Sequence, residues 1–81
     1  MYYVYVLKSI NHDKIYIGFT SSLEQRLAAH NHAQNKGWTR LYMPWIIVYT
    51  ESFELKSDAM LREKQLKTGR GRAFIRNQIL K

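Results

Sequence analysis

The spacing of apolar residues along this chain changes several times, and each change marks a new element. Tyr2–Lys8 is aromatic and β-branched, and it ends at Ser9 and the polar turn Asn11-His12-Asp13-Lys14, which predicts a strand. Ile15–Thr20 predicts a second strand, and the short turn makes an antiparallel hairpin the simplest connection. Ser21-Ser22-Leu23-Glu24 fits a capping box, with Ser21 as N-cap and Glu24 at the third helical position, so a helix is expected to run to about Asn31. His32–Met43 has no period and contains Gly37, so it reads as a loop in which Trp38 must lie on something. Trp45–Thr50 predicts a third strand, apolar enough without interruption to be buried on both faces. From Leu55 the spacing turns helical up to Thr68, with Gly69 placed as a left-handed cap, and Ala73–Leu80 predicts a short last helix. The order is β-β-α-β-α-α, an α+β fold on a small antiparallel sheet.

Composition narrows the classes. A chain of 81 residues is expected to form one domain, residues 1–81, and 46% hydrophobic residues are too many for a disordered basic tail. The absence of cysteine excludes a disulfide framework and thiol-ligated zinc, and it fits a reducing compartment. The first residues lack a basic leader and a small-residue cleavage site, so no signal peptide is expected. The longest apolar stretch, Leu41–Tyr49, is interrupted by Pro44 and is far short of a membrane span. A cytoplasmic protein with no membrane partner is the expectation.

The net charge of +7 is unevenly placed. Residues 1–61 hold six basic and five acidic side chains, whereas residues 62–81 hold seven basic ones against Glu63 alone. A basic segment in a balanced chain points to a polyanion, most often nucleic acid, against the plainer reading of a solvated face. Arg62, Lys64, Lys67, Arg70, Arg72 and Arg76 are the candidate phosphate contacts.

Polar residues interrupt two apolar helical stripes. At about 100° per residue, with Glu63 at 0°, Ala59 falls at about −40°, Met60 at about +60°, Leu66 at about −60° and Leu55 at about −80°. Glu63 thus occupies the middle of the expected stripe. A carboxylate there needs a reason, either a structural ion pair with a nearby Arg or Lys, or a metal. In the first helix Arg26 and His30 are i, i+4 neighbours on the side carrying Leu23 and Leu27. In the strands Tyr3, Tyr5 and Leu7 share one face, as do Tyr16, Gly18 and Thr20. A glycine inside a strand is expected where another group approaches closely.

Tyr3-Val4-Tyr5, then Tyr16-Ile17-Gly18, then Arg26 with His30, then Glu63, taken in that order, resemble the GIY-YIG endonuclease domain, chiefly its small stand-alone bacterial members. The second triplet matches letter for letter. In the first, Tyr3 and Val4 replace Gly and Ile, and only its last tyrosine, Tyr5, is expected to do chemistry.

The resemblance implies a three-stranded antiparallel sheet flanked by helices and a metal-dependent endonuclease hydrolysing DNA phosphodiesters. It implies one divalent ion, Mg or Mn, anchored by Glu63, with Arg26 on the scissile phosphate. Tyr5 and Tyr16 would position or deprotonate the attacking water, His30 would assist as hydrogen-bond partner or proton shuttle, and Asn77 is a further phosphate candidate. DNA repair is the implied setting, and branched, nicked or single-stranded DNA the implied substrates. A chain this short has little surface for reading bases, so sequence specificity is expected to need a protein partner. The competing reading is a non-catalytic nucleic-acid-binding module on the same fold.

Overall fold

The computed structural model describes residues 1–80. Its elements are β1 (Tyr2–Ser9), β2 (Ile15–Thr20), α1 (Leu23–His30), a 3₁₀ turn (Trp38–Tyr42), β3 (Trp45–Phe53), α2 (Lys56–Leu66) and α3 (Gly69–Phe74), and α3 passes into a π-helical turn over Ile75–Ile79. The sheet order is β2-β1-β3, and both pairings are antiparallel. The central strand is therefore β1, where Val4, Val6 and Leu7 are fully buried and Tyr5 nearly so.

The alternation of β1 divides the core in two. Val4 and Val6 face Ile15 and Ile17 of β2 and receive Ala59 and Leu66 of α2 and Ile75 beyond α3. Tyr5 and Leu7 face the other way, with Trp45, and are covered by Leu23 and Leu27 of α1 and by Tyr42 and Met43. Helices on both faces explain why β1 carries large apolar residues without interruption.

The third strand is not the doubly buried one. It lies at the sheet edge, where only Trp45 is buried and Ile46 is exposed. Its unbroken apolar run has another cause. Val6 pairs with Tyr49 but Leu7 pairs with Ile47, so Val48 is an extra residue and a bulge. The bulge reverses which residues face which side, letting Trp45 and Ile47 join the α1 side while Tyr49 and Phe53 join the α2 side.

Three helix boundaries differ from the expectations. Ser22, not Ser21, precedes α1, and its side chain caps nothing. The Thr20 hydroxyl closes that turn instead, accepting from Ser22 N–H at 3.1 Å and donating to Ser22 C=O at 3.2 Å. Gly69 does not end α2 in the left-handed region, because no described residue has a positive φ. It opens α3, and the cap is Thr68, whose hydroxyl accepts from Gly71 N–H at 3.1 Å and donates to Gln65 C=O at 2.6 Å. One side chain thus satisfies orphan groups of both helices. The last helix begins at Gly69 rather than Ala73, since Gly71 must press on α2.

These roles separate the two glycines. A Cβ on Gly71 would fall onto the backbone of Gln65 and Leu66, whereas one on Gly69 meets nothing within 4 Å. Gly71→Ala is expected to cost about 1–3 kcal/mol, a melting point lower by roughly 4–8 °C per kcal/mol in a domain this small. Gly69→Ala is expected to raise stability by about 0.4–1 kcal/mol, by restricting the unfolded chain. Thermal melts of the two variants check this; a loss at Gly69 would restore the left-handed cap.

Candidate active site

The site starts at a cross-strand pair. Tyr5 of β1 lies opposite Gly18 of β2, and Leu7 lies opposite Tyr16. A Cβ on Gly18 would sit 2.5 Å from the Tyr5 hydroxyl oxygen and 3.2 Å from Cε2 of Tyr16. The Tyr5 ring therefore lies across the glycine, which is the close approach anticipated from a strand glycine.

His30, at the end of α1, completes an aromatic group. Its Nε2 is 3.2 Å from the Tyr5 hydroxyl, and its ring centroid is 4.6 Å from that of Tyr16. The two tyrosine rings are 6.2 Å apart. Asn31 fixes the end of α1, since its amide exchanges hydrogen bonds of 2.7 and 3.0 Å with the backbone of Trp45.

Arg26 and Glu63 enter from opposite sides of the sheet. Arg26 belongs to α1, and α2 carries Glu63 beside the buried Ala59 and Leu66. Tyr5, Tyr16, Gly18, Arg26, Lys56 and Glu63 nevertheless line one recess of about 390 Å³. Tyr2 and Phe19, from the other face, line it too, so the recess wraps the free edge of β2.

Glu63 borders the buried stripe of α2 rather than sitting in its middle, because Leu55 and Met60 are exposed. Its side chain is 19% exposed, and its one ion pair among the described residues is with Lys67 at 3.6 Å, itself 46% exposed. A pair that open contributes about 0–1 kcal/mol, too little to be the reason for placing an acid there. Among the described residues Arg26 has no acidic partner and no side-chain hydrogen bond, and it is exposed.

The expected basic residues divide into groups. Lys67, Arg72 and Arg76 line a second recess with Lys14, Trp38 and Tyr16, so it adjoins the first through Tyr16. Arg76 is held there by Asp13 at 2.9 Å. Arg62 and Arg70 line a different recess with Phe74. Arg62 is engaged in a fork on Glu51, with Nε to Oε1 at 2.9 Å and Nη2 to Oε2 at 3.0 Å, and the Tyr49 hydroxyl donates to the same carboxylate. Burial pushes the Glu51 carboxyl up, but the Arg62 and Tyr49 hydrogen bonds outweigh it and hold it below its usual range. Lys64 and Asn77 are exposed and border none of these recesses.

Sequence reasoning missed Thr39 and Asn35, which sit in the segment read as featureless loop. Thr39 is 4% exposed, and its hydroxyl lies 3.0 Å from His30 Nδ1. The Asn35 amide donates to Thr39 Oγ1 at 2.7 Å and to His30 C=O at 2.9 Å, and its own oxygen accepts from Gly37 N–H at 2.9 Å. The Trp45 indole donates to Thr39 C=O at 2.7 Å. The only signal in the sequence was compositional, an Asn-x-Gly-x-Thr run suited to local side-chain-to-backbone bonding.

Electrostatics set the protonation states. Burial above all, then Tyr16 and Glu63, push the Tyr5 hydroxyl well above the usual phenol range, with Arg26 opposing. Burial first and Arg26 second pull His30 below the usual imidazole range. Both groups are held neutral. Among the described residues no three acidic or imidazole groups converge into a metal cage. One under-used carboxylate in a polar recess still fits a hard divalent cation, which keeps waters and takes substrate phosphate oxygens as its other ligands.

Comparison with known proteins identifies the family of the chain. The family model described as the GIY-YIG catalytic domain matches residues 1–76. A UPF0213 protein of Staphylococcus haemolyticus is 39% identical over 80 residues, covering 99% of this chain and 90% of that one. A UPF0213 protein of Clostridium perfringens is 42% identical over 67 residues, covering 83% of this chain and 71% of that one. The solution NMR structure of a UPF0213 protein from Bacillus halodurans has a TM-score of 0.54 at 28% identity, covering 91% of this chain and 80% of that one. No described helix is long and apolar enough to cross a membrane. With the family model matched over nearly its whole length, this chain belongs to the GIY-YIG family.

Proposed function

We propose that this protein is a metal-dependent endonuclease that hydrolyses DNA phosphodiesters, selecting DNA by structure rather than by sequence. The observation that supports it most is the pairing of an unpartnered Arg26 with Glu63 across Tyr5 and Tyr16 in one recess. A guanidinium without an acid beside it is free to fork onto a phosphate, and it stabilises the charge that builds on the oxygens as the bond breaks. Glu63 would hold a Mg or Mn ion. When bound, that ion supplies Lewis-acid stabilisation of the phosphoryl oxygens.

The protein's own residues arrange the proton chemistry. Asn35 is oriented by Gly37 N–H, so its NH₂ group faces Thr39 Oγ1 and Thr39 accepts there. The Thr39 proton then has His30 Nδ1 as its acceptor, because a buried hydroxyl left without one is costly. Nδ1 is thereby the unprotonated nitrogen, and Nε2–H donates to the Tyr5 oxygen. His30 thus positions Tyr5 instead of deprotonating it. Tyr5 stays a neutral phenol whose own proton can be donated into the recess. Tyr16, half-buried and with no hydrogen bond of its own among the described residues, is left to orient the attacking water.

DNA would reach the site along the adjoining basic recess. Lys14, Lys67 and Arg72 form the phosphate track there, while Arg62 serves chiefly as a brace between α2 and β3. Lys64, Arg70 and Asn77 are assigned a peripheral part, outside the recess. With so little surface for reading bases, sequence choice is left to a protein partner.

Three outcomes test this reading. Glu63→Gln is expected to melt within a few degrees of the parent, since its ion pair with Lys67 is weak. It should bind DNA at least as well as the parent while losing nearly all Mg- or Mn-dependent nicking. Unchanged nicking would remove Glu63 from the metal site, and a parent that binds DNA but nicks none of it with Mg or Mn would favour the non-catalytic binding module.

Replacing Lys67 and Arg72 by Gln should reduce the salt dependence of DNA binding, which changes by roughly 0.9 in log–log slope per phosphate contact on duplex. Replacing Arg62 and Arg70 should move the slope much less. The reverse order would relocate the track.

His30 should leave a mark on stability. Its folded pKa is depressed, so as pH falls through about 6.5 the unfolded chain takes up a proton that the folded chain refuses. Stability is complete above that pH and declines below it, levelling off once the folded imidazole also titrates. Melting curves between about pH 7.5 and 5 should therefore slope less for His30→Gln than for the parent; equal slopes would contradict a neutral His30.

A further inference from the structure

We propose that Trp38 is a stacking platform for one unpaired nucleobase of the strand being cut, so that the nucleic acid engaged beside the site is single-stranded there; this rests on the nuclease reading above. Trp38 opens the 3₁₀ turn and is 48% exposed. It is also held firmly. Its ring lies against Tyr42 at 4.9 Å and against the buried Trp45 at 6.0 Å. The residues beside it are anchored as well, Gly37 by the Asn35 side chain and Thr39 by the Trp45 indole. An indole fixed on one side and open on the other is a preorganised surface for a flat apolar partner.

Its position selects the partner. Trp38 borders the basic recess of Lys14, Lys67 and Arg72, and it also borders a recess shared by Tyr16, Arg26 and His30. It therefore stands between the phosphate track and the arginine that would take the scissile phosphate. A strand running from one to the other passes the indole, with cationic side chains before and after it. Aromatic rings interleaved with basic groups are how proteins hold single strands, because every base has a face to stack while its phosphates are neutralised.

Base pairing decides which DNA benefits. A paired base already stacks on its neighbours, and extracting it uses up about as much free energy as stacking on an aromatic ring returns. An unpaired base keeps the whole gain. The platform thus favours a flap, an end or a single strand over continuous duplex.

The test is binding without divalent metal, so that nothing is cut, using oligothymidylate and a duplex of mixed sequence. Trp38→Leu should weaken oligothymidylate binding by about 5- to 150-fold, the range for losing one base–aromatic stack. Duplex binding should change by less than about two-fold. Trp38→Phe should restore most of the single-strand affinity, and the salt slope should be the same in all three proteins. Saturating oligothymidylate should quench the indole emission of the parent, and the quench should vanish in Trp38→Leu because the remaining Trp45 is 2% exposed.

Equal losses on duplex and single strand, no loss on either, or no rescue by Phe would overturn the proposal. Absence of a quench in the parent would do so even if Trp38→Leu failed to fold. A silent Trp38 with duplex still bound would assign the indole to another surface, such as a protein contact, and leave the nuclease reading standing. Failure of the parent to bind either DNA would remove both.

Discussion

A sheet of three strands has two faces, and here both must be covered. The central strand β1 carries large apolar residues on each side, so no arrangement with helices on one face alone would bury them. The remaining elements follow from that constraint. The second and third helices close the Val4 and Val6 side, and the first helix with the 3₁₀ turn closes the Tyr5 and Leu7 side. Around the free edge of β2, Arg26 from one covering and Glu63 from the other line the same recess. The candidate site is a by-product of how the sheet is sandwiched.

The middle of the site is built more tightly than its rim. Tyr5 is 2% exposed and fits only because Gly18 has no side chain. Its hydroxyl, His30, Thr39 and Asn35 form a hydrogen-bonded chain in which every buried group has a partner, and among the described residues no buried side-chain polar atom is left without one. Arg26, by contrast, is exposed and unbonded, and Tyr16 is half open. The centre of the site is thus fixed by its own hydrogen bonds, and the groups left open to an outside partner lie at its rim.

The basic end of the chain is less uniform than its charge implies. Arg62 holds β3 to α2 through Glu51, and Arg76 is tied to Asp13 in the hairpin turn. Arg62 and Arg76 therefore work partly as braces, and the net charge overstates what faces a polyanion. Position along the chain could not sort them, because acids far away in sequence neutralise some and not others.

Much of the architecture was legible because it depends on local pattern. Periods of two and of three to four residues located the strands and helices, and the strand glycine announced a close approach that proved to be the Tyr5 ring. Tyr5, Tyr16, Arg26, His30 and Glu63 also stood out in the sequence, by their order in the family resemblance and as polar groups on or beside apolar faces, and Tyr5, Tyr16, Arg26 and Glu63 line one recess. Other features were decided only in three dimensions. The bulge at Val48, the edge position of β3 and the entry of Gly69 into a helix rather than a turn depend on what packs against each residue. The same holds for Thr39 and Asn35, whose importance comes from meeting His30 across a loop with no period of its own. A sequence determines which faces must be buried, because burial follows from side-chain chemistry repeated at fixed spacing. Which polar groups then meet depends on long-range packing, whose distances and angles no short stretch of chain contains.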